Sequence, residues 1–316
     1  MDVFLHIGSH KTGTTAIQTF ASRHHKKLLS EGLCYASSEI GKKKPRRSHL
    51  RLVDELISNK GNIDKKNNPK KVLSKALTFA KKNNANLLYS AESLFRLNRI
   101  EIIKFCKIFY SVFKHERIII VCGLRSQHDF ANSLYRNQFR PYKNHPLEFR
   151  TWLDRRQEKF KYSKTIEKYT HLLNAECILL PYTNENAPDF IQLFFNRLLG
   201  RSIDVTEKIE NANPSLNAID CLAKKIVMER FFDKNISEKF NSYVFENRIK
   251  CDYDFLDQAG LEKLSNAVYS DNQKLVELEP ELIAALNNNF FLRSKPVDDD
   301  CVKLSEQRAK DFLSSL

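Results

Sequence analysis

A short apolar strand, Val3-Phe4-Leu5-His6-Ile7, runs directly into Gly8-Ser9-His10-Lys11-Thr12-Gly13-Thr14-Thr15. A helical repeat follows at once, with Ile17, Phe20, Ala21, Leu28 and Leu29 recurring on one face. Strand, glycine-bounded loop and helix N-terminus together bind phosphate. Backbone N–H groups converge there, the helix dipole adds partial positive charge, and a lysine supplies a full one. The lysine stands in an unusual place. A nucleotide triphosphatase loop reads G-x-x-x-x-G-K-[ST], with lysine after the second glycine, whereas Lys11 precedes Gly13. The pattern predicts a phosphate cradle adapted to a different anion.

Four segments read as buried strands: Val3–Ile7, Leu87–Ala91, Arg117–Leu124 and Cys177–Tyr182. Helical patterns separate them, over 14–31, 71–83, 98–115, 127–139, 146–174 and 186–199. Strands alternating with helices predict an α/β fold of three layers, α/β/α, with a mainly parallel central sheet of four to five strands. The helical part from 216 onward is expected to complete one domain over 1–295, and 296–316 to form a tail helix carrying Val302, Leu304, Phe312 and Leu313. Parallel sheets bind ligands beyond the carboxyl ends of their strands. That rule brings the loop, Glu92 and Arg125 to one edge.

The formal net charge is +14, which favours anionic partners. Much of it is clustered, as in Lys42-Lys43-Lys44-Pro45-Arg46-Arg47 and Lys65-Lys66, without the interleaved aromatics that stack bases. A solvated face explains such runs; a funnel for a charged substrate is the functional alternative. No nucleic-acid partner is expected. The chain has no run of about 18 apolar residues that would span a membrane, and no signal-peptide pattern, so the cytoplasm is the expected location. Seven cysteines lie scattered without metal spacing, and Cys34, Cys106, Cys122 and Cys177 read as buried thiols. The histidines fit no zinc pattern, and no metal site is expected. Trp152 and its aromatic neighbours read as helix packing.

Ile118 to Leu124 is an apolar strand ending in Arg125, after which Ser126 caps a helix containing Ser133 and Tyr135. Arginine at a strand end suits bidentate phosphate recognition and repels a metal. A kinase would place a magnesium-binding aspartate in such a position.

Residues Phe4 through Gln18 resemble the 5′-phosphosulfate loop of bacterial sulfotransferases, which use 3′-phosphoadenosine 5′-phosphosulfate (PAPS). Arg125 and Ser133 are similar in type and spacing to that family's 3′-phosphate site. Weaker echoes follow in Leu88-Tyr89-Ser90-Ala91-Glu92, Leu179-Leu180-Pro181-Tyr182, Asn213-Pro214-Ser215-Leu216 and Tyr269-Ser270-Asp271-Asn272, so the resemblance spans roughly 1 to 275. It implies a P-loop-type sulfotransferase fold, a PAPS co-substrate and transfer to a hydroxyl of a carbohydrate or glycolipid.

Under that resemblance Lys11 stabilises the leaving phosphate, while Lys11, Thr12, Gly13, Thr14 and Thr15 hold the 5′-phosphate. Arg125 and Ser133 take the 3′-phosphate. Glu92 is the candidate general base and His10 its rival; a helix-terminal carboxylate explains Glu92 equally well. The family's basic, glycine-containing loop is missing, with Asn211 to Ser215 in its place and Arg201 a possible substitute. A nucleotide kinase or NTPase, and a non-catalytic nucleotide- or nucleic-acid-binding protein, are the alternatives.

Overall fold

The computed structural model describes residues 1–9, 11–35, 49–57, 69–140, 147–183, 185–205, 216–286 and 295–316. Along the chain the elements are β1 (Asp2–His6), α1 (Thr14–Arg23), α2 (His25–Ser30), β2 (Leu33–Tyr35), α3 (Leu50–Ile57), α4 (Pro69–Lys82), β3 (Asn86–Ser90), α5 (Arg99–Phe113) and β4 (Arg117–Leu124). Next come α6 (Gln127–Arg136), α7 (Phe149–Asp154), α8 (Tyr162–Leu173), β5 (Glu176–Pro181) and α9 (Phe190–Leu199). The remainder is α10 (Ala218–Phe231), α11 (Lys234–Glu246), β6 (Tyr253–Asp254), α12 (Gln258–Leu278), α13 (Ile283–Leu286), β7 (Lys295–Pro296) and α14 (Asp299–Ser314). Two compact units divide the chain. The first takes Met1–Arg125, Tyr162–Ala212 and Lys274–Ala285; the second takes Ser126–Lys161, Asn213–Gln273 and Leu286–Leu316.

The first unit is built on a five-stranded parallel sheet of order β2-β3-β1-β4-β5. Continuous apolar runs form it because both faces are covered: every residue of β4 after Arg117 is buried. In β1 the pleat sends Phe4 and His6 toward α1 and α9, where Ile17, Phe20, Phe194 and Phe195 pack. Leu5 faces the other way, into a layer with Tyr89, Phe105 and Phe109. Tyr89 meets Phe109 edge-on at 5.6 Å, and Phe105 meets Tyr169 of α8 at 6.4 Å. Burying each such ring contributes roughly 1.5–3 kcal/mol. The three-layer α/β/α arrangement expected from the alternating pattern is therefore present.

Some element boundaries differ from the expected ones. The 14–31 pattern breaks at His24 (φ −102°, ψ 21°), and α2 then carries Leu28 into the core on the α1 side. The 146–174 pattern splits into α7, a tight turn over Gln157–Phe160 and α8. Strand β2 adds a fifth strand to the four expected, its three residues being too few for a periodic signal. Cys177 is half-buried, whereas Cys34, Cys106 and Cys122 are buried as expected.

The second unit is mostly helical, with the short parallel pair β6–β7. Trp152 packs in it against Tyr135 and Phe149, with ring centroids at 5.2 and 5.6 Å. Helix α14 packs on α10, where buried Arg308 Nε reaches Asp220 Oδ1 at 3.2 Å. No helix among the described residues is long and apolar enough to cross a membrane.

Candidate functional site

Connections leave the carboxyl end of β1 toward β2 and β3, and those of β4 toward β5, so a crevice opens where β1 and β4 lie side by side. The loop after β1 and the residue after β4 both stand there. Ile7 N–H bonds the Val121 carbonyl at 3.1 Å, keeping the two strands paired up to the loop.

Among the described residues of the loop, Gly8 (φ 55°), Lys11 (φ 66°) and Gly13 (φ 68°) adopt left-handed backbone. For Lys11 that conformation costs about 1–2 kcal/mol, so its surroundings must hold it. Arg125 does so by donating Nη1–H to the Lys11 carbonyl at 3.0 Å. Two hydroxyls staple the rest. Ser9 Oγ donates to the Gly123 carbonyl at 2.6 Å, and Thr12 Oγ1 donates to the Ser9 carbonyl at 2.7 Å. The Thr12 side chain is thereby buried inside the loop, leaving its backbone as the part that can serve a ligand.

Helix α1 starts from Gly13, whose carbonyl accepts from Ala16 and Ile17 at 2.9 and 3.0 Å. Its N-terminus has no side-chain cap and no acidic residue in its first turn. A ten-residue helix left open in this way presents N–H groups and dipole to an anion. Thr14 Oγ1 is buried there without a hydrogen-bond partner among the described residues, and Thr15 is half-buried beside it. The combination fits a phosphate.

Gly8 is required by shape. A Cβ at its position would stand 3.0 Å from Thr14 Oγ1 and 3.4 Å from His6 Nε2, on backbone that strains any L side chain. Gly8→Ala is expected to cost about 1–3 kcal/mol in urea unfolding and to displace the Thr14 hydroxyl. An unchanged unfolding midpoint would contradict this account of the loop.

Beneath the loop lies a buried polar network that has no local signature in the sequence. His6 Nδ1 is 2.9 Å from Ser90 Oγ, which also accepts from Gln18 Nε2 at 3.1 Å. His49 Nδ1 accepts from the Ser90 N–H at 3.0 Å. If the Ser90 hydroxyl is satisfied within this network it donates to Nδ1, which puts the His6 proton on Nε2, facing the loop. Burial lowers the His6 pKa to about 3. It lowers His49 to about 4, outweighing the hydrogen bond that a protonated Nδ1 makes to the Ser90 carbonyl oxygen, 3.1 Å away, which raises it. Both rings are therefore neutral at pH 7.

Glu92 is half-buried and opens the tight turn Glu92–Arg96, one residue beyond Ala91, whose N–H bonds the His6 carbonyl at 3.1 Å. The β1–β3 pairing thus delivers Glu92 to the same sheet edge as the loop. Arg125 is anchored from behind by Tyr162, whose hydroxyl donates to its carbonyl at 3.2 Å, and its guanidinium lies 5.8 Å from the Tyr182 ring centre. Ser133 lies half-buried on α6 in the second unit. His10, Lys42–Arg47, Lys65, Lys66 and Asn211–Ser215 fall outside the described residues. Arg201 pairs with Glu31 at 2.6 Å. Among the described residues no three His, Cys, Asp or Glu side chains group as metal ligands.

No family model matches the chain, and no curated protein does. Among solved structures it is similar to a sulfotransferase from Alicyclobacillus acidocaldarius, with 16% identity and a TM-score of 0.37, over 77% of this chain and 95% of that one. So distant a likeness bears on neither activity nor site residues.

Proposed function

We propose that the protein is a PAPS-dependent sulfotransferase acting on a hydroxyl of a carbohydrate or glycolipid. One observation carries this reading: the single loop lysine sits on strained backbone whose carbonyl is held by Arg125, at the β1–β4 crevice beside an uncapped helix N-terminus. That arrangement supports a 5′-phosphate on the loop, next to a guanidinium of the kind a 3′-phosphate needs. The sequence resemblance supports the sulfuryl group as the cargo.

Sulfuryl transfer is an in-line displacement in which positioning and electrostatics do most of the catalysis. The acceptor oxygen bonds to sulfur as the bond from sulfur to the 5′-phosphate oxygen breaks. Lys11 and the α1 N–H groups neutralise the charge growing on that oxygen. Arg125 and Ser133 select the 3′-phosphate that ATP lacks. The acceptor proton goes to Glu92 or His10.

Two measurements test this. Adenosine 3′,5′-bisphosphate is expected to raise the melting temperature, and ATP with magnesium to leave it unchanged; the reverse pattern would favour a kinase. In single-turnover assays the base variant, Glu92→Gln or His10→Ala, is expected to lose about 10²–10⁴-fold in chemistry while keeping nucleotide affinity. Full turnover by both variants would remove both residues as bases.

A further inference from the structure

The second unit holds a cavity of about 340 Å³ that the reading above does not use. Small-molecule sites run from about 300 to 1,000 Å³, so it is large enough for a ligand. Its floor is aromatic. Phe139 and Phe255 lie nearly parallel at 5.8 Å (12° between planes), and Phe149 lies 6.2 Å from Phe255 at 25°. Tyr135 closes the slab edge-on to Phe255 at 4.7 Å, its hydroxyl already donated to the Leu147 carbonyl at 2.9 Å.

The rim is charged but balanced. Glu148, Arg150, Lys225 and Asp257 line it, two of each sign. Arg150 Nε meets Asp257 Oδ2 at 3.1 Å, and Glu148 is fixed by accepting the Arg150 and Thr151 N–H groups at 3.1 and 3.2 Å. Carboxylates only accept, and guanidinium and ammonium groups only donate. The rim therefore offers both acceptors and donors beside an apolar slab without selecting for either charge, in a chain whose net charge is +14.

We propose that this cavity is a binding site for a neutral saccharide. A sugar ring has one face of C–H groups, which matches the aromatic slab, and a perimeter of hydroxyls that both donate and accept, which matches the rim. A nucleotide or acidic sugar gains nothing from a rim whose charges cancel. An acyl chain would desolvate the rim's charges and offer them no hydrogen bond in return. The inference rests on the proposed function only for the purpose of the bound sugar, which would be to anchor a glycan acceptor.

Trp152, the chain's one tryptophan, touches two of the lining rings and so reports on the cavity. The test titrates the full chain with lactose, maltotriose and chitotriose, with glucuronate as the anionic control, and follows tryptophan fluorescence. At least one neutral sugar is expected to give a saturable change that is insensitive to salt. Leu222→Phe, which adds bulk at the cavity wall, is expected to weaken it about tenfold or more with an unchanged melting temperature; Lys225→Ala should weaken it less. The proposal is overturned if no neutral sugar binds, if glucuronate binds better, or if both variants bind as the parent does. A parallel titration with adenosine 3′,5′-bisphosphate separates this outcome from failure of the transferase reading, because either ligand can bind without the other.

Discussion

Lys11→Ala is expected to slow single-turnover sulfuryl transfer by about 10³-fold or more, the scale of losing a cation from a phosphoryl-type transition state. Nucleotide affinity is expected to change by less than about tenfold, since an interaction made chiefly in the transition state contributes little to ground-state binding. The substitution is unusually clean. Lys11 sits at φ 66°, and alanine carries the same Cβ penalty there, so the loop's backbone strain is unaltered. Arg125 still holds the residue 11 carbonyl, because that contact is to backbone. What disappears is the side chain beyond Cβ, the ammonium group with it. Lys11→Gly is the complementary control: it removes the charge and also relieves the strain, so it should be the more stable of the two and equally inactive. Rapid-quench measurement of labelled sulfuryl transfer decides the matter. Parent-like turnover in Lys11→Ala would reject the assignment.

The parts of this site legible in the sequence are those set by local pattern. The apolar run before Gly8 reads as a strand because a parallel sheet buries both faces, and the helix after Gly13 follows from its 3.6-residue repeat. Arg125 is legible because an apolar strand stops at it, and the sheet then brings it to Lys11. What the sequence hides depends on pairing across long separations. His6 meets Ser90 at a separation of 84 residues, and His49 meets Ser90 at 41; neither pair has a local signature. Tyr162 behind Arg125 is hidden for the same reason, as one tyrosine at a helix start. The aromatic slab draws on α6, α7 and the segment after β6, so no single window contains its pattern. Trp152, read from sequence as packing, does pack, and its neighbours also border the cavity.

The hidden network sets the second large effect: the fold is expected to lose much of its stability between pH 6.5 and about 4. An exposed histidine titrates near 6.5. In the folded chain, burial holds His6 neutral down to about 3 and His49 down to about 4. Below pH 6.5 the unfolded chain therefore binds more protons than the folded one, so unfolding becomes easier as pH falls. These groups' contribution is fully present above 6.5 and is lost as pH descends through the folded values. At about 1.4 kcal/mol per pH unit, His49 accounts for on the order of 3 kcal/mol and His6 for somewhat more. Domain stabilities are only about 5–15 kcal/mol. Urea unfolding at pH 7, 5.5 and 4.5 should show a falling midpoint, and His6→Asn and His49→Gln should each flatten the slope by about one proton. A midpoint unchanged from pH 7 to 4.5 would rule out the buried neutral pair. The loss should reach function before global unfolding. Ser90, the residue both histidines hold, ends the strand that leads to Glu92, and His6 ends the strand that leads to Gly8. A proton forced onto His6 must loosen both strand ends, and one forced onto His49 the Ser90 end, so adenosine 3′,5′-bisphosphate affinity should fall at a higher pH than the far-UV signal does.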